Sequence, residues 1–352
     1  NKTSLKIYKS NYRDAKISHI QNNNHYLEMY KQSINNSENF WSKIADRIHW
    51  IKKWTKVSNY NFINGKIKWF ENGKLNVSYN CLDRHVEAGF GNHTALIWEG
   101  NDPTIDKKYT YSQLLSEVSK FANILKNKGV KKGDRVCIYM QMIPELAIAM
   151  LACCRIGAIH SIVFGAFSAE SLKDRINDSS CKVLVTQDTG VRGLKQNIPM
   201  KNNADIALND TSSIETVFVV KRTGNPIKMQ SGRDYWWHEF MESAKDTCDP
   251  EKMDSEDPLF ILYTSGSTGK PKGVVHTTGG YLVYVSFSHE TIFDYQPNDI
   301  YWCTADIGWI TGHSYIIYGP LSNKATTIMY EGVPNYPDHG RFWDIVEKHK
   351  VN

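Results

Sequence analysis

From about Leu82 onward, short apolar runs alternate with amphipathic stretches of helical period. Residues 135–140, 158–164, 182–186, 216–220, 259–263, 300–304 and 325–330 read as strands. Between them, 113–127, 144–156, 168–177 and a long stretch over 278–293 carry the spacing of helices. Pro144 stands at a first helical turn with Glu145 beside it, and Gly157 marks the stop. Strands separated by helices are joined by crossovers and lie parallel. The expectation is an α/β fold of mostly parallel β-sheets flanked by helices. Ligands in such folds bind beyond the carboxyl ends of the strands. Three segments that follow strands, 263–273, 304–313 and 330–336, should therefore converge on one face.

The first of these reads Tyr263-Thr-Ser-Gly-Ser-Thr-Gly-Lys-Pro-Lys-Gly273. Gly266 and Gly269 let backbone N–H groups turn inward as an anion-binding nest. Thr264, Ser265, Ser267 and Thr268 add hydroxyl donors. Lys270 and Lys272 bring charge suited to phosphate. The loop is not a Walker motif. Only two residues separate the glycines, and Pro271 occupies the place of the magnesium-binding hydroxyl. A kinase or P-loop ATPase is thereby disfavoured.

The 352 residues suffice for one large domain or two ordinary ones, and 41% apolar with 22% charged residues is a globular balance. The net charge of +5 is dispersed and gives no nucleic-acid track. Seven cysteines without a C-x-x-C pair point to reduced thiols in a cytoplasmic protein. The apolar stretch 143–164 is broken by Pro144, Glu145, Arg155 and Gly157, so no membrane span is expected. Residues 1–24 form a polar tail ending at the soft boundary Asn22-Asn23-Asn24. From His25 to Val57 the spacing of Tyr26, Met29, Tyr30, Phe40, Trp41, Ile44, Ile48, Trp50, Ile51 and Trp54 predicts helix.

The glycine loop resembles the signature loop of the adenylate-forming enzymes, the superfamily of acyl-CoA synthetases, luciferases and peptide-synthetase adenylation domains. Residues 75–85, 232–238, 301–315, 330–337 and 340–352 narrow the resemblance to acetyl-CoA synthetases, from about Tyr26 to the last residue. The resemblance implies an αβαβα core, truncated here. It divides the chain into the tail, an N-terminal helical extension over 25–81, and an AMP-binding (adenylation) domain over 82–352, incomplete at its C-terminus. It implies joining of acetate to coenzyme A with ATP through an acetyl-adenylate, releasing pyrophosphate and AMP. Thr264, Ser265, Gly266, Ser267, Thr268, Gly269 and Lys270 would hold the ATP phosphates. Arg192, Gly193, Leu194, Lys195, Thr311 and Asn335 would contact CoA, with Lys195 standing where a second arginine is usual. Trp309, Ile310 and Thr311 would wall the acyl pocket, and Ile310 in place of valine favours a small acid. His313 is read as structural, since the acid is already ionised at neutral pH.

By the same resemblance, the magnesium ligands, the catalytic lysine and the adenine site lie beyond Asn352. No catalytic or metal-binding residue is therefore assigned, and the chain alone is expected to be inactive. Propionate or another short-chain acid stays open as the substrate. A non-catalytic nucleotide- or CoA-binding fragment is the reading from a different class. The expected partners are small molecules only, acetate, ATP and CoA, with no nucleic acid and no membrane.

Overall fold

The computed structural model describes residues 17–264 and 270–352. In the strand Arg135–Met140, Val136, Ile138 and Met140 alternate with Cys137 and Tyr139, and both sets are buried. A strand buried on both faces belongs inside a covered sheet. It is the middle strand of seven, in the order Asp234–Trp236, Thr216–Val220, Val183–Gln187, Arg135–Met140, Ile159–Phe164, Pro258–Thr264, Lys272–Thr277. All neighbours run parallel except the last pair. Val136, Ile138 and Met140 pack in one apolar cluster with the helices Tyr111–Asn127 and Pro144–Ile156. Cys137 and Tyr139 pack on the opposite face with Leu172, Ile176, Met200 and Ala204 of the helices Ala169–Ser179 and Met200–Leu208.

A second sheet has the order Ile300–Trp302, Thr326–Tyr330, Thr94–Glu99, Asp106–Thr110, and only its last pair is antiparallel. Its Ala95, Leu96, Trp98 and Met329 belong to the first cluster, so one core joins the two sheets. The mostly parallel α/β architecture is as expected. Pro144–Ile156 starts at Pro144 and ends at Gly157 with φ 72°, as its residues predict. From Leu146 to Cys154 it is apolar all round because it is buried all round, and the buried Arg155 is paired with Asp83. Tyr111–Asn127 opens with a capping box: the Thr110 hydroxyl accepts from the Gln113 N–H, and the Gln113 side chain accepts from the Thr110 N–H.

The N-terminal region differs from expectation. Only Asn23–Asn35 and Ser37–Ala45 are helical. Residues 46–55 are irregular, and a hairpin of Lys56–Asn61 and Lys66–Glu71 follows. Trp50 and Trp54 pack on Phe70 of that hairpin, with ring centroids 4.9–5.4 Å apart. Their i, i+4 spacing thus comes from an aromatic cluster, not from a helical face. The hairpin announces itself at Asn64-Gly65, where Gly65 has φ 64°. The Asn22 side chain caps the first helix by accepting the His25 N–H at 2.9 Å. Just before it, the His19 N–H donates to Asp294 at 2.9 Å and the His19 ring lies 2.7 Å from the Tyr295 carbonyl.

All seven cysteines are free, six of them buried and Cys303 half-buried. Among the described residues no helix is long and apolar enough to cross a membrane.

Candidate active site

The carboxyl ends of both sheets open into one cleft of about 640 Å³. Gln141 and Met142 reach it from the end of Arg135–Met140, and Gly165 and Ala166 from the end of Ile159–Phe164. Thr304, Ala305 and Asp306 follow Ile300–Trp302, and Glu331 and Gly332 follow Thr326–Tyr330. The convergence expected from β–α alternation is therefore met by two of the three segments. In the third, Ser265, Gly266, Ser267, Thr268 and Gly269 lie outside the described residues. Thr264 and Lys270, which flank them, are both exposed.

One wall of the cleft is a narrow ribbon, Gly190–Arg192 paired antiparallel with Lys195–Ile198 and, among the described residues, with no other strand. Arg192 and Lys195 face each other across it in direct register, and both line the cleft. Like charges directly opposite on a ribbon repel. The pair therefore concentrates positive charge on this wall of the cleft. The turn between them, Gly193-Leu194, needs φ 59° at Gly193, and a Cβ there would come within 2.9 Å of Val333. Gly193 therefore shapes the turn, and Leu194 projects into solvent.

Trp309 and Thr311 also line the cleft, and both are exposed. Trp309 is 48% exposed, too much for a core tryptophan. Ile310 is exposed as well but does not line the cleft, and Asn335 is exposed beside the lining Pro334. The turn holding Trp309 is tight. A Cβ at Gly312 would meet the Asp306 carbonyl at 2.2 Å, so only glycine fits. The His313 ring nitrogen Nδ1 lies 3.1 Å from the Trp309 carbonyl and anchors the turn from below. Burial lowers the His313 pKa to about 4, so the ring is neutral at pH 7 and suits a structural role better than that of a base.

Trp309 lies 6.1 Å from both Phe164 and Phe167, centroid to centroid. The Arg192 guanidinium sits 5.7 Å over Phe164, and the Arg175 guanidinium 4.8 Å over Phe167. Arg175 in turn lines a hollow with Lys270, Asp174, Asp178 and Tyr263 at the foot of the glycine segment. The Tyr263 hydroxyl donates to Asp178 at 2.6 Å. Trp309 thus packs against two phenylalanines, one bearing the Arg192 guanidinium and the other the Arg175 guanidinium, whose hollow also holds the carboxylates Asp174 and Asp178.

Several cleft groups escaped the sequence reading. Asp306 accepts the Gly308 N–H at 2.7 Å; burial pushes its pKa up, against the pull of that bond and of Arg192. Glu331 is buried and accepts a fork of bonds from Arg222 at 2.8–3.1 Å. Burial pushes Glu331 up to about 7 although Arg222 favours its charged form. Glu331 lay within a quoted motif, but Arg222 is over a hundred residues away and had no local signal. The aromatic lining of Trp302, Tyr330 and Phe342 likewise depends on packing between distant segments. Among the described residues no group of three or more His, Cys, Asp or Glu is placed to hold a metal.

Residues 82–352 match the model of the AMP-binding enzyme family, and residues 26–81 match the acetyl-coenzyme A synthetase N-terminus. The chain is 58% identical over 332 residues to an acetyl-coenzyme A synthetase of Magnetococcus marinus, covering 94% of this chain and 51% of that protein. It is 59% identical over 329 residues to one of Desulfatibacillum aliphaticivorans (93% and 50%) and 57% identical over 343 residues to one of Rhizobium meliloti (96% and 52%). The chain spans about half the length of the curated relatives it matches. With its cleft at the carboxyl ends of two parallel-rich sheets and a family match over 82–352, the chain belongs to the AMP-binding enzyme family.

Proposed function

We propose that the complete protein is an AMP-forming acetate–CoA ligase and that this cleft is where the acyl group meets CoA. The acetate oxygen attacks the α-phosphorus of ATP, the bond to the β-phosphate breaks, and acetyl-adenylate and pyrophosphate form. The CoA thiol then attacks the acetyl carbon; AMP leaves and the thiol proton passes to solvent. Chemistry of this kind rests on positioning and charge neutralisation.

The observation that carries the proposal is that Arg192, Lys195, Trp309 and Thr311 line one cleft at the carboxyl ends of both sheets. In this reading Lys270 and the segment Thr264–Gly269 take the β- and γ-phosphates. Arg192 and Lys195 take phosphates of CoA on the other side, with Thr311 and Asn335 along its path. Gly193 and Leu194 supply the turn that presents the two cations. Trp309 and Thr311 bound the acyl group, and Ile310, which does not line the cleft, is left out of that wall. The described residues offer no donor cluster for magnesium, and no step here runs through it. Seven unpaired thiols fit a reducing, cytoplasmic setting.

The test is acid-dependent exchange of pyrophosphate into ATP by the complete protein. Acetate should support the fastest exchange, propionate slower and butyrate least, and Lys270→Ala should slow all three. Comparable rates with long-chain acids would sink the short-chain assignment. A propionate optimum would replace acetate by its homologue.

A further inference from the structure

The ribbon that presents Arg192 and Lys195 pairs with neither sheet, so something else must hold it in place. Its free edge is closed by two side-chain amides. The Gln141 Oε1 accepts from the Val191 N–H at 3.0 Å, and its Nε2 donates to the Val191 carbonyl at 3.1 Å. Two residues on, the Asn101 Oδ1 accepts from the Gly193 N–H at 2.6 Å, and its Nδ2 donates to the Gly193 carbonyl at 3.1 Å. Val191 lies in the strand and Gly193 opens the turn that follows it. Gln141 thus stands in for a neighbouring strand and Asn101 clamps the turn, and both satisfy backbone groups that would otherwise lack partners. Gln141 is itself fixed by Gln187, whose side-chain carbonyl accepts the Gln141 N–H at 2.8 Å. Gln141 comes from the large sheet and Asn101 from the loop after Thr94–Glu99 of the small one, so the ribbon is braced on both.

We propose that Asn101 is a positioning residue for the cation pair: its amide fixes the Gly193 turn and thereby aims Arg192 and Lys195 at the phosphates of CoA. Asn101 is only 4% exposed and does not line the cleft, so its effect passes through the ribbon. Both halves of the amide are used, one as acceptor and one as donor. Aspartate keeps the acceptor, loses the donor and adds a negative charge beside the cations. Alanine loses both bonds. The proposal rests on the reading of the ribbon as the CoA phosphate site.

The chain as it stands, with Asn101→Ala, Asn101→Asp and Arg192→Ala, is titrated with CoA and separately with pantetheine, which carries no phosphate. If the loosened turn holds the pair correctly aimed only about a tenth of the time, CoA should bind roughly tenfold more weakly. Both Asn101 variants should show that loss, as should Arg192→Ala, while pantetheine binds all four proteins alike. The proposal fails if the Asn101 variants bind CoA as tightly as the unaltered chain while Arg192→Ala does not. It also fails if CoA and pantetheine weaken in equal proportion, because that is general loosening and not misaimed charge. If the unaltered chain ignores CoA, the assignment of the ribbon falls, and this proposal with it.

Discussion

Glu99 is the group whose loss should be felt most widely. It is completely buried at the end of Thr94–Glu99 and accepts from three side chains of the last helix, Arg341–His349. Arg341 Nη2 lies 2.7 Å from Oε1; Lys348 Nζ at 2.9 Å and His349 Nε2 at 2.7 Å share Oε2. Arg341 and His349 are as buried as Glu99, and Lys348 is one-third exposed. Glu99→Gln keeps the shape, removes the charge and turns an NH₂ toward cationic donors. Breaking a buried pair from one side costs about 3–5 kcal/mol, because the remaining charge keeps its desolvation penalty. At about 2.1 cal/mol/K per residue, a chain of 352 residues should lose roughly 4–7 °C in Tm. Burial alone would raise the pKa of Glu99, but the bonds from His349, Lys348 and Arg341 outweigh it and hold the pKa below the usual range. A lowered carboxylate pKa stabilises the fold above the unfolded pKa and loses that effect as pH falls through the folded value. The difference between the two proteins should therefore be largest at neutral pH and shrink in acid. Urea unfolding followed by tryptophan fluorescence at pH 7 and pH 4 measures both points. A loss below about 1 kcal/mol at pH 7 is what an exposed pair would give; that result, or one that grows in acid, would refute the reasoning. Because the same helix carries Phe342 into the cleft, the variant should also weaken ligand binding there.

Three further outcomes are expected. Lys195→Arg restores a planar fork opposite Arg192 and should tighten CoA binding about two- to fivefold by calorimetry; unchanged affinity would count against Lys195 as a phosphate contact. Gly312→Ala places a Cβ against the Asp306 carbonyl and should cut acetate-dependent pyrophosphate exchange at least tenfold by displacing Trp309; full exchange would show that the turn does not set the acyl wall. Glu331, raised to about 7, holds its proton more tightly folded than unfolded, so its contribution to stability falls as pH rises from about 4.5 to about 7. Glu331→Gln should flatten that part of the stability–pH curve, and a profile parallel to the unaltered protein's would contradict the raised value.

The strands and helices of the large sheet were legible because their periods are clean. Pro144, Gly157 and the buried alternation of 135–140 each leave a local mark. The N-terminal hairpin was obscured because Trp50 and Trp54 imitate a helical face while packing on Phe70. Arg192, Lys195, Trp309 and Thr311 were named from the sequence and share one cleft. Gly193 and Leu194 belong to the same stretch, yet they form the turn and line nothing. Asn101, Gln141, Arg222 and Glu331 act through partners 46 to 109 residues away, and a contact of that range leaves no period to read.

The most direct test separates the two half-reactions in the complete protein carrying Arg192→Ala. If the cleft is the CoA face of an acetate-activating enzyme, acetate-dependent pyrophosphate exchange should stay within about twofold of the unaltered protein, while acetyl-CoA formation at a fixed, sub-saturating CoA concentration falls at least tenfold. Equal loss of both half-reactions, or loss of neither, would contradict the account.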